Sequence, residues 1–112
     1  MRSSQDYARI KAGGIALRGR HCILLALRWP GEPTRVGFIA SKKSVGGAVQ
    51  RNRARRRLRE IVRRGWSGIA PEGFGLVLIA LRGAITAPHA DLVADVERVI
   101  SGVGAAEHAR GA

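Results

Sequence analysis

Cysteine is all but missing from this chain. Cys22 stands alone among 112 residues, so neither an internal disulfide nor a cysteine-built zinc cluster can form. Its place in the apolar run Cys22-Ile23-Leu24-Leu25-Ala26-Leu27 reads as that of a small buried hydrophobe. Aromatic residues make up only 4%, which argues against a sheet that stacks RNA bases on several rings. The three histidines, His21, His89 and His108, are scattered and share no ligand spacing. Acids are few as well: Asp6, Glu32, Glu60, Glu72, Asp91, Asp95, Glu97 and Glu107 form no paired-carboxylate motif near a histidine. No serine sits in a nucleophile elbow, and no glycine-rich loop matches a P-loop. No catalytic or metal-ligating residue is therefore assigned. No apolar run approaches the roughly 20 residues that span a bilayer, and Met1–Asp6 lacks the apolar core of a secretory signal. The expectation is a soluble cytoplasmic protein with no membrane partner.

What the chain has in excess is positive charge. Twenty Lys and Arg face eight acids, giving a formal net charge of +12 and a sequence pI near 11.7. The 46% hydrophobic content can still supply a core, so this is no disordered basic tail. One domain over residues 1–112 accounts for the length. The charge is concentrated: from Arg51 to Arg64 eight positions are arginine, opposed only by Glu60. A solvated helix face normally mixes signs, and this one does not. The planar guanidinium fork matches phosphate oxygens two at a time, so a phosphate backbone is the partner this run suits.

Ser3 or Ser4 caps a short first helix with Tyr7, Ile10 and the stem of Lys11 on its inner side, ended by Gly13-Gly14. Extended chain follows, broken near Arg18-Gly19-Arg20, with a main strand over His21–Arg28. Pro30-Gly31-Glu32-Pro33 reads as a turn, and Thr34–Ala40 as a strand alternating Val36, Phe38 and Ala40 with Arg35, Gly37 and Ile39. A helix starts between Gly47 and Arg51 and runs to about Arg64. At 100° per residue Ala54, Leu58, Ile61 and Val62 share one apolar stripe; Asn52, Arg56, Arg59 and Arg63 stack on one flank, Arg53, Arg57 and Arg64 on the other. Gly65 closes it and Trp66–Gly73 is loop. Phe74–Leu81 is a continuous apolar run that suits a central strand. Pro88 opens a last helix with Leu92, Val96, Val99 and Ile100 at helical spacing, and the tail, about 103–112, is expected to fray. The pattern is a compact α/β sandwich with helices against one sheet. Gly46-Gly47 before the basic helix, beside Lys42, Lys43 and Arg51, can bring backbone N–H groups to a phosphate; an ordinary strand-to-helix turn is the alternative.

At Arg51-Asn52-Arg53, followed by Arg55, Arg56 and Arg59, the sequence resembles the protein subunit of bacterial ribonuclease P. Ser41-Lys42-Lys43 is similar to that family's basic strand end, and Gly46-Gly47-Ala48-Val49 resembles its Gly-Asn-Ala-Val turn, with Gly47 in place of Asn. Asp6-Tyr7 resembles its Asp-Phe, and Phe74–Leu81 with Arg82 its late strand. The resemblance implies an α+β sandwich of order αβββαβα, with a four-stranded sheet and a left-handed βαβ crossover through the basic helix. It also implies an endoribonuclease working as a ribonucleoprotein that removes the 5′ leader of precursor tRNA. The catalyst would be the RNA subunit with its bound Mg²⁺, which can activate water and stabilise the leaving oxygen. On this reading Lys42, Lys43, Arg51, Asn52, Arg53, Arg55, Arg56, Arg59 and Arg63 bind RNA, and Tyr7 and Lys11 line a leader cleft between the first helix and the sheet. Lys11, Cys22 and Leu25 stand at cleft positions where the family commonly has aromatic rings. The partners implied are the catalytic RNA and precursor tRNA, with no obligate protein partner.

Two other readings stay open. One is a non-enzymatic RNA-binding or ribosome-associated protein, which would bind RNA without affecting leader cleavage. The other is a basic membrane-surface or DNA-coating protein, against which arginine-for-lysine usage on a globular scaffold counts.

Overall fold

The structure, a computed structural model, describes residues 4–64 and 72–111. In chain order it forms α1 (Ser4–Gly13), β1 (Ile15–Arg18), β2 (Cys22–Pro33), β3 (Arg35–Ala40), α2 (Lys42–Val45), α3 (Ala48–Arg64), β4 (Glu72–Ala80), α4 (Gly83–Thr86) and α5 (His89–Gly111). α2 and α4 are single turns, so the principal elements follow the order αβββαβα.

The four strands lie in the order β1-β2-β4-β3. β1 and β4 both run antiparallel to β2, whereas β3 runs parallel to β4. A parallel pair needs a crossover, and α3 supplies it. The interior place of β4 follows from its composition: Gly75, Leu76, Val77 and Leu78 are all buried, as a strand covered on both faces requires. β2 shows the complementary pattern, with Cys22, Leu24 and Ala26 buried and Ile23, Leu25 and Leu27 half-buried.

Register turns that alternation into two layers. Leu24 pairs with Leu78, which pairs in turn with Phe38, and Ala26 pairs with Leu76 beside Val36. This face meets Ala54, Leu58, Ile61 and Val62 of α3 and Leu92, Val96, Val99 and Ile100 of α5 in one apolar core. Leu25, Val77 and Gly37 share a row of the opposite face. α1 packs there against β2 and β4, through the fully buried Ile10.

Several sequence expectations change in detail. Residues 30–33 do not form a free turn: β2 continues to Pro33, which pairs with Glu72 across a register shift after Arg28, and Gly31 adopts φ 80° at that irregularity. β4 accordingly starts at Glu72, ahead of Phe74. The closing of α3 at Gly65 and the loop from Trp66 fall largely on residues 65–71, outside the described residues, as does Ser3. α5 extends to Gly111, and Val103, only 2% exposed, prolongs the stripe Leu92-Val96-Val99 by one further helical step.

Candidate nucleic-acid interface

α3 separates its residues by helical phase. Ala54, Leu58, Ile61 and Val62 are its buried residues, the stripe expected from spacing, and that fixes where the cations point. Asn52, Arg53, Arg56, Arg59 and Arg63 are exposed, and Arg51 and Arg55 half-exposed. Val49, Asn52, Arg53, Arg55, Arg56 and Arg59 line a shallow depression of about 770 Å³. Lys42 and Lys43, both exposed, sit on α2, immediately after β3. Gly46 makes the break between α2 and α3 at φ 114°, a conformation that disfavours any side chain. Its N–H is taken by the Lys42 carbonyl at 3.0 Å, and the Gly47 carbonyl accepts the first α3 bond, from the Arg51 N–H at 2.9 Å.

Two of these arginines are held in place. The Asn52 Oδ1 accepts a 2.6 Å hydrogen bond from Arg55 Nη2, and the Arg59 guanidinium carbon lies 5.5 Å from the centre of the Phe38 ring. Such contacts reduce the side-chain freedom lost on binding an anion. The one acid of the helix, Glu60, lies 3.8 Å from both Arg63 and Arg64, and at that exposure the pairs neutralise little.

Arg57 does not join the outer cationic flank on which its spacing placed it. Its Nη1 donates to the Ala84 carbonyl at 2.9 Å and its Nη2 to the Ala87 carbonyl at 2.5 Å. It ties α3 to both ends of α4, and burial, with the Arg53 charge beside it, lowers its pKa from the usual arginine value.

The second candidate surface lies across the sheet, beside α1. Tyr7 is half-buried and Lys11 exposed, with Lys11 Nζ 6.0 Å from the Tyr7 ring centre. The half-buried Ile23, Leu25, Leu27, Ile39 and Ile79 belong to that face by register. Cys22 does not: its register puts it on the helix-covered face, where it is fully buried and donates to Asp95 Oδ2 at 3.5 Å. Cys22 therefore does not lie on the α1 side of the sheet, whereas Leu25 does. Spacing also overlooked Trp29, which lies beneath the Arg9 guanidinium at 4.5 Å.

Asp95 is the one buried charged residue of the described core. Its carboxylate accepts from the N–H groups of Arg20 and His21 at 2.8 and 2.9 Å and lies 3.2 Å from Arg98. Its signal was present in the sequence, since Asp95 falls inside the apolar stripe of Leu92, Val96 and Val99. Among the described residues, no group of three or more His, Cys, Asp or Glu gathers to hold a metal ion, and no helix is long and apolar enough to cross a membrane.

These features describe an α+β protein that presents one strongly basic helix face and one partly apolar sheet face. The family model for ribonuclease P matches residues 1–104. The chain is 37% identical over 105 residues to the ribonuclease P protein component of Symbiobacterium thermophilum, covering 93% of this chain and 90% of that one. It is 42% identical over 96 residues to that of Dehalococcoides mccartyi, covering 86% and 73%. Among solved structures, the ribonuclease P proteins of Staphylococcus aureus and Thermotoga maritima both superpose with a TM-score of 0.78 at 24% identity. They cover 92% and 90% of this chain and 93% and 94% of their own lengths. The chain belongs to the ribonuclease P protein family.

Proposed function

We propose that this chain binds the catalytic RNA of ribonuclease P through α3 and α2, takes the 5′ leader of precursor tRNA along the open sheet face beside α1, and so assists endonucleolytic leader removal in the cytoplasm. The observation that carries this reading is the cationic surface of α3, where Arg53, Arg56 and Arg59 are exposed and Glu60 is the one acid, while the apolar stripe is buried; Lys42 and Lys43 on the preceding α2 are exposed as well. Each guanidinium offers paired donors to a phosphate, and neutralising several phosphates releases condensed counterions. Arg55 and Arg59 are already oriented by Asn52 and Phe38, so less freedom is lost on docking.

In this reading the chain positions RNA and offsets its charge. On the same reading the Mg²⁺ that the chemistry calls for is held mainly by the RNA subunit; when bound, it would activate the attacking water. Lys11 and Tyr7 would hold leader nucleotides by phosphate pairing and one stacked ring.

The test is affinity of the assembled complex for precursor against mature tRNA. Compared with the RNA subunit alone, the complex should prefer precursor by several-fold more. Equal preference with and without the chain would remove the leader-binding role, and failure of the chain to bind ribonuclease P RNA would favour the ribosome-associated alternative.

A further inference from the structure

Arg9 lies on the other flank of α1. At 100° per residue it falls on one side of the buried Ile10, while Tyr7 and Lys11 fall on the other. Arg9 is exposed, and its guanidinium carbon sits 4.5 Å above the half-buried Trp29 ring. The indole in turn lies against Gly75, where a β-carbon would collide with its Cε3 and Cζ3 atoms. Only glycine lets the ring settle onto the sheet at this point. The ladder pairs Gly75 with Arg35, so the exposed Arg35 rises from the same face one strand away.

A guanidinium seated over a ring leaves its outer side open to another flat group, while its N–H donors suit a phosphate. The bases of a duplex are stacked on each other, whereas those of a single strand are available to such a plate. We infer that Arg9 stacked on Trp29, with Arg35 beside it, is a second nucleotide-binding position for the single-stranded leader, on the flank of α1 opposite Tyr7 and Lys11. The inference rests on the proposed use of the open sheet face as the leader's path. It gives this chain a stacking element of its own, although Lys11 and Leu25 supply no rings.

The experiment uses the complex of the chain with ribonuclease P RNA and precursors whose leaders are graded in length, carrying 2-aminopurine at successive leader positions. Arg9→Ala should abolish fluorescence quenching at one leader position and weaken binding of the long-leader precursor by about fivefold or more. It should leave a precursor with the leader cut back before that position unaffected. Arg9→Lys keeps a cation over Trp29, and with it the docking of α1, but loses the plane; it should share the loss of quenching. Leader-dependent binding by the wild type that Arg9→Ala and Arg9→Lys reproduce, with quenching intact, would overturn this inference alone. Wild-type binding indifferent to leader length would overturn the proposed function with it.

Discussion

Asp95 Oδ1 accepts a hydrogen bond from the backbone N–H of Arg20 at 2.8 Å, which fastens α5 to the turn between β1 and β2. Oδ2 takes the His21 N–H and the Cys22 thiol, so one carboxylate closes the donors of three consecutive residues. Asp95→Ala would strand two backbone N–H groups and should cost about 2–3 kcal/mol, read from urea unfolding midpoints at pH 7.

The same carboxylate sets an acid limit. Burial by itself would raise its pKa, but the N–H groups of Arg20 and His21, the Cys22 thiol and Arg98 outweigh burial and bring it below the usual carboxylate value. A group depressed in the folded state adds stability above its unfolded pKa and loses it as pH falls through the folded one. Unfolding midpoints of the wild type should therefore fall below about pH 4, and Asp95→Asn should flatten that part of the profile.

Cys22 sets a limit at the alkaline end. Burial, then the charge of Asp95 and its hydrogen bond, push the thiol from 9.0 up to about 12, against a smaller opposing effect of Arg98. With the folded pKa above the unfolded one, the contribution is complete below about pH 9 and is lost as pH climbs toward 12. Cys22→Ala should reduce that alkaline loss. Thiol reagents at pH 8 should label the wild type only at the rate of its unfolding.

Arginines of one helix should separate by role. Arg57→Ala removes two carbonyl contacts to α4 and should cost about 1–2 kcal/mol, whereas the exposed Arg53→Ala should stay within about 0.5 kcal/mol of wild type. Leu58→Ala, at a fully buried position, should cost about 2–5 kcal/mol. Thermal melts of the three variants check the order. An Arg53→Ala melt as low as that of Leu58→Ala would mean the helix faces are misassigned.

Affinity for ribonuclease P RNA should fall linearly in log–log form with salt, with a slope of several units in magnitude. Arg56→Ala or Arg59→Ala should each reduce that slope by about one. Filter binding between low and moderate salt measures it, and a salt-insensitive affinity would contradict phosphate binding by α3.

The element order and the buried stripe of α3 were legible because both rest on local periodicity: Ala54, Leu58, Ile61 and Val62 recur at helical spacing whatever they pack against. Arg57 was not legible. Its spacing places it on a cationic flank, and only the arrival of α4 against α3 supplies the two carbonyls that turn it inward. Trp29 was hidden by the Pro30-Gly31 signal, which reads as a turn, yet its environment is set by Gly75, distant in sequence and adjacent across the ladder. Cys22 shows the effect of register. Its apolar run marks it as a small buried hydrophobe, which it is, whereas the family resemblance groups it with Leu25 at cleft positions; three residues apart on one strand, the two face opposite sides, and Cys22 lies on the helix-covered one.

Whether the chain assists an RNA catalyst is decided by cleavage of precursor tRNA at limiting Mg²⁺, with three arms: the RNA subunit alone, the chain alone after rigorous removal of RNA, and the two combined. The expected outcome is no cleavage by the chain, little by the RNA, and a large gain on mixing that shrinks as Mg²⁺ is raised, because the cations of α3 offset repulsion the metal would otherwise screen. Cleavage by the RNA-free chain, or a mixture no faster than the RNA alone at any Mg²⁺ concentration, would contradict it.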